Sequence, residues 1–157
     1  MQHLSASPIL APLGFLAFFV TLWLCVCALL AHLSGWRSLS TLFRANAGVG
    51  GEEFRFCSGS MGSSNWFPVG YRNCLCVTVS EPGLGLSVLF LFRVFSPALF
   101  IPWEKVESVE EGRVWLVRCA MVRIRGMSTR IGLQGKSGES AMAAYSRFEQ
   151  RRRLQRA

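Results

Sequence analysis

The side chains that could do chemistry are unevenly spread along this chain. Fifteen arginines and two lysines stand against nine glutamates, giving a formal net charge of +8; there is no aspartate, and the two histidines are His3 and His32. Every charged side chain lies at Arg37 or beyond. A histidine base, a Ser-His-Asp triad or a histidine-rich metal site therefore has no residues to draw on after residue 32. A pair of glutamates remains formally available for glycoside chemistry. Glu104, Glu107, Glu110 and Glu111 read instead as solvated charges on an edge strand and its turn, with no convergent partner. Gly48-Val49-Gly50-Gly51 lacks the Lys-Ser/Thr that would follow in a phosphate loop. The expectation is a protein that is not an enzyme, with no catalytic residue, no metal ligand and no cofactor.

Basic charge is the remaining functional hint. Arg147, Arg151, Arg152, Arg153 and Arg156 cluster at the C-terminal end. They fit a solvated helix end whose cations complement the helix dipole. A sharper reading is a contact with anionic lipid head groups, each arginine adding about 1 kcal/mol near a membrane surface. Arg123 and Arg125 share a face with Arg113, Trp115 and Val117 if the strand Val114 to Arg125 is unbroken, with Arg118 on the same stretch. Nucleic acid is not expected as a partner, because no recognised binding module is present. Of the six cysteines, Cys25 and Cys27 lie in an apolar run, and Cys57, Cys74, Cys76 and Cys119 read as small buried hydrophobes. Cys74 and Cys76 point to one face of a strand, splayed along it, which suits neither a disulfide nor a zinc knuckle.

The element that positions all of this is apolar. Residues 9 to 33 form a 25-residue run without Asp, Glu, Lys or Arg. At about 1.5 Å per residue it can cross a ~30 Å hydrocarbon core with some tilt. A cleaved signal peptide would need a basic start, a shorter core and a better cleavage site than Ala28 to His32 offers. A buried globular helix is rarely apolar on all faces for this length. The run is therefore expected to be an uncleaved anchor, with Pro8 and Pro12 in its first turn and Trp36 at the interface. Arg37 and Arg44 follow it, and no basic residue precedes it, so the positive-inside rule expects the N-terminus outside and the remainder in the cytoplasm, at the inner membrane. Leu84 to Trp103 is a second apolar stretch. Arg93 at its middle and Pro97 and Pro102 argue against a second span and for two strands around a Ser96-Pro97 turn.

The expected domains are residues 1–35 as anchor, 36–51 as a linker that is partly helical through Trp36, Leu39, Leu42 and Phe43, and 52–157 as one folded domain. Within it, Phe54 to Cys57 is a first strand and Gly59 to Asn65 a loop by composition. Asn73 to Ser80 alternates, with Leu75, Val77 and Val79 on one face. Glu81-Pro82-Gly83 is a turn. Gly85 to Phe95 is apolar on both faces, as a covered strand would be. Leu99 to Ile101, Trp103 to Val109 and Thr129 to Leu133 are further strands, Val114 to Arg125 is a long strand or hairpin, and Glu110-Glu111-Gly112 is a turn. Lys136 opens a helix, with Ser137 as its N-cap and Ala141, Ala144, Tyr145 and Phe148 as its apolar stripe. Six or seven strands followed by one amphipathic helix make an α+β domain, a small barrel or sandwich with one open end covered by the helix.

Three segments carry a resemblance: Asn73-Cys74-Leu75-Cys76-Val77-Thr78-Val79, then Gly83-Leu84-Gly85-Leu86-Ser87, then Phe92 through Val106 with its Ile101-Pro102-Trp103. Together they resemble bacterial membrane-anchored proteins that carry a pleckstrin-homology-like domain, the GRAM relatives included. The resemblance covers about 35 residues and, loosely, the C-terminal helix. It implies a bent seven-stranded barrel capped by a helix and supplies no catalytic residues. The expected function is a single-pass membrane protein whose cytoplasmic domain is a non-catalytic binding or scaffold module contacting anionic lipids. The alternative is a structural or assembly subunit packed against a partner membrane protein.

Overall fold

The computed structural model describes residues 10–45, 50–63, 68–114 and 116–156. The chain opens with a 24-residue helix, α1 (Leu10–Leu33), that is long and apolar enough to cross a membrane; among the described residues it is the one helix that is. Nearly all of its surface is exposed, which a helix without a charge tolerates in hydrocarbon and not in water. A covered stripe, Cys27, Ala31 and Ser34, marks where protein packs against it.

Gly35 turns the chain from α1 into α2 (Trp36–Phe43). It sits at φ +75°, in the left-handed region that glycine enters without strain. A Cβ there would come 2.8 Å from Thr129 Oγ1, so the elbow also needs the missing side chain. The stretch expected to be a linker is thus helical through Phe43, as far as Ala45 it does not dangle, and residues 46–49 of it lie outside the described residues. Trp36 and Leu39 are 0% exposed and belong to the main hydrophobic core. The Trp36 Nε1–H donates to the Pro97 carbonyl at 2.9 Å, and the Ala45 N–H donates to Ala98 O at 2.9 Å.

Seven strands follow: β1 (Glu52–Gly62), β2 (Val69–Val79), β3 (Gly83–Val88), β4 (Leu99–Pro102), β5 (Val106–Val114), β6 (Val117–Ile124) and β7 (Arg130–Leu133). They form one antiparallel sheet in the order β4-β3-β2-β1-β7-β6-β5, curled into a half-barrel. β1 is the long strand that joins the two halves. It bends at register shifts between Phe54 and Cys57 and between Cys57 and Gly59, and Phe56 takes φ +56° there. The expected loop at Gly59 belongs instead to this strand through Gly62. A Cβ on Gly59 would lie 2.7 Å from Gly132 O, so the small residues are there to let β1 and β7 close up.

Two other expectations change. β3 ends at Val88, and Phe90–Phe95 is a 3-10 helix, not a continuation of the strand. β5 runs through Glu110-Glu111-Gly112, and the chain turns only after Val114. As the sheet's edge strand, β5 tolerates alternating charges, and Glu104, Glu107, Glu110 and Glu111 are exposed as expected. That turn breaks the long strand, so Arg113 stands opposite Arg118 and no continuous face runs on to Arg123 and Arg125; Trp115 lies outside the described residues.

The C-terminal helix α3 (Lys136–Leu154) packs on β2, β5, β6 and β7. Its N-cap is Gly135; Ser137 lies inside the first turn and its hydroxyl donates back to Gln134 O at 3.0 Å. Ala141 and Ala144 are buried against the core, and Tyr145 and Phe148 are half-buried beside it.

Candidate functional site

The domain has two ends, and β3 with β4 runs between them. At one end lie α1, α2, the Phe90–Phe95 segment and Thr129. There Trp36 stacks near Tyr71, with ring centroids 5.9 Å apart, and Trp23 of α1 meets Phe92 at 4.9 Å. At the other end lie the β2–β3 turn, the segment Trp103–Lys105 and the C-terminal half of α3. Trp103, fully buried as its position after Pro102 suggests, donates from Nε1 to Ser80 O at 2.9 Å and from its backbone N–H to Pro82 O at 3.1 Å. Tyr145 packs on it at 5.9 Å and donates its hydroxyl hydrogen to Glu107 O at 3.0 Å.

The five candidate arginines all belong to this second end. Arg151 pairs with Glu81 at 3.4 Å, and Arg152 and Arg153 pair with Glu149 at 4.0 and 3.7 Å. For Arg147 and Arg156 no carboxylate lies within ion-pair reach among the described residues. A cleft of about 320 Å³ opens between α3 and the β2–β3 turn, walled by Glu52, Glu81, Arg147 and Arg151. Beside it a second, of about 440 Å³, is walled by Glu81, Glu104, Phe148, Arg151 and Arg152. Both are mixed in charge. The Ser140 hydroxyl already donates to Glu52 at 2.7 Å, so the glutamates here act as surface acceptors. Such exposed pairs hold side chains in place and contribute little to stability.

Titratable groups shift for ordinary reasons. Burial pushes the Tyr71 phenol up, and its hydroxyl finds no hydrogen-bond partner among the described residues. Burial also raises the Cys74 and Cys119 thiols and, with the Glu149 carboxylate adding to it, the Tyr145 phenol. Cys74 and Cys76 are free and half-buried on one face of β2, alternating with buried Leu75 and Val77. Among the described residues no three of His, Cys, Asp and Glu converge on a point that would hold a metal. The glycine run 48–51 lies partly outside the described residues, and His3 lies wholly outside them.

The arginines are visible in the sequence because they cluster within ten residues. The surface that sequence reasoning missed is Phe90–Phe95, where Phe90, Leu91, Val94 and Phe95 are exposed. Its signal was already there: a run apolar on both faces that contains an arginine. The class defined by these observations is a membrane-type apolar helix built into a seven-stranded α+β domain. The sequence matches no known protein family and no characterised protein.

Proposed function

We propose that this chain is a non-catalytic binding or scaffold module of the inner membrane. α1 spans the bilayer with the N-terminus outside, and the pleckstrin-homology-like domain is held rigidly on the cytoplasmic side. The observation that carries the reading is the join. Trp36 and Leu39 lie in the core with the Trp36–Pro97 hydrogen bond across them, so the domain is docked to its anchor and presents a defined far end.

That far end holds the arginines. β3, six residues at about 3.3 Å each, separates them from the anchor side by roughly 20 Å. The Debye length at physiological salt is about 8 Å, so head groups of the leaflet that α1 enters exert little pull across that gap. The exposed cations of α3 are therefore assigned to an acidic surface on a cytoplasmic or membrane protein partner, in preference to anionic lipid of the same leaflet.

The experiment uses the full chain in nanodiscs of neutral lipid. An acidic protein partner should co-purify in fixed ratio, and should be lost when Arg147, Arg151, Arg152, Arg153 and Arg156 become Gln or when salt is raised. Recruitment of anionic vesicles, abolished by the same changes, would return the cluster to lipid. Protease protection that places α3 outside would overturn the orientation.

A further inference from the structure

We propose that Phe90–Phe95 is a second membrane-embedded element, lying in the hydrocarbon beside α1 with lipid acyl chains against its exposed face. This rests on α1 being the span.

Depth comes first. Phe92 packs on Trp23, ten residues before the end of α1 at Leu33. Ten helical residues are about 15 Å, half of a ~30 Å hydrocarbon layer. A segment touching α1 at that level lies inside the layer wherever α1 crosses it. Its surface agrees. Phe90 is 85% exposed, Leu91 63%, Val94 59% and Phe95 43%, and this apolar face continues the exposed surface of α1 around the shared contact. That continuity selects acyl chains as the occupant over a separate protein groove.

The backbone is also suited to hydrocarbon, where polar groups must find partners within the protein. The Leu89 N–H donates to Cys74 O at 2.8 Å, the Phe92 N–H to Leu89 O at 2.8 Å, and the Ser96 N–H to Arg93 O at 3.1 Å. Both roots are held. β3 carries the entry, and the exit at Pro97 accepts the Trp36 Nε1–H. Arg93, the one charge, is exposed, and at this depth its guanidinium is solvated by snorkelling together with local thinning of the bilayer and entry of water. On α1 the buried residues are Cys27 and Ala31, small side chains that allow close approach.

The test places single nitroxide labels on the full chain, other cysteines replaced, in vesicles of phosphatidylcholine and phosphatidylglycerol. The variants are Phe90→Cys, Leu22→Cys on α1 and Leu154→Cys on α3. Collision with oxygen is compared with collision with an aqueous nickel chelate. The expected result is that label 90 follows label 22, favouring oxygen, while label 154 favours nickel. Label 90 behaving like label 154 overturns the proposal with the span intact. Label 90 shielded from both reagents overturns it in favour of a protein cover. Label 22 open to nickel removes the span and the proposal together. The unaltered chain gives an independent reading by hydroxyl-radical footprinting in the same vesicles: Phe90 should stay unmodified while water-exposed Phe56 is oxidised, and equal oxidation of the two refutes the idea.

Discussion

The two ends of this domain are closed by helices in opposite ways. At the anchor end α2 inserts two fully buried side chains, Trp36 and Leu39, and hydrogen-bonds across to Pro97. At the other end α3 lays down two buried alanines and two half-buried aromatics, and its outer surface is trimmed with exposed ion pairs. Apolar burial stabilises by roughly 25 cal/mol per Å², whereas an exposed ion pair contributes about 0–1 kcal/mol. The anchor end is therefore the structural seat of the domain. The α3 end is the one whose surface can change without loss of the fold.

The contrast can be broken most directly at Trp36. Trp36→Ala should cost about 3–5 kcal/mol, read as a lowered melting temperature of the full chain in detergent. Trp36→Phe keeps an aromatic ring and loses the donor to Pro97, and should cost clearly less. Next comes the elbow: Gly35→Ala meets both the positive φ and Thr129 Oγ1, at about 1–3 kcal/mol. Thr129→Ala on top should recover the steric part and leave the backbone part, a split that a double-mutant cycle measures. At the opposite end Phe148→Ala should cost only about 1–2 kcal/mol, because the ring is half-buried and leaves no closed cavity. A loss as large as that of Trp36→Ala would erase the distinction between the ends.

Alkaline pH distinguishes them more finely. Tyr71 at the anchor end and Tyr145 at the α3 end both have phenols raised above their ordinary value of 10, chiefly by burial. A neutral phenol held above its unfolded value stabilises the fold fully below pH 10 and loses that contribution as pH rises through the folded value. Unfolding should thus become easier above about pH 10. Tyr71→Phe should flatten that limb more than Tyr145→Phe, since Tyr71 is the more deeply buried. The smallest effect belongs to Arg151, Arg152 and Arg153: changing all three to Gln should leave the melting temperature where it was. If instead it falls by several degrees, the ion pairs to Glu81 and Glu149 are structural.

Much of this was legible from residue order alone. α1 shows as an uncharged run, β2 as strict alternation of Leu75, Val77 and Val79, the Glu81-Pro82-Gly83 turn by its residue types, and α3 by its spacing. What was not legible has physical reasons. An apolar run reports that something apolar covers it, not whether that cover is protein or lipid, so Phe90–Phe95 read as a continuing strand. Gly59 to Gly62 reads as a loop by composition, yet the small residues serve a close crossing of β1 on β7. Trp36 and Leu39 show helical spacing, but spacing is silent on which surface a helix docks against. The arginine cluster was visible as a cluster. Which way it faces depends on the path of β3 and on the docking of α2, neither of which a local pattern encodes.

The Trp36–Pro97 bond ties residues 61 positions apart. It links one segment with another made 61 residues later, and so sets an order for folding. During synthesis Trp36 stays unsheltered until the chain as far as Pro97 has been made. A chain begun after residue 43 would emerge with the place of Trp36 and Leu39 unfilled.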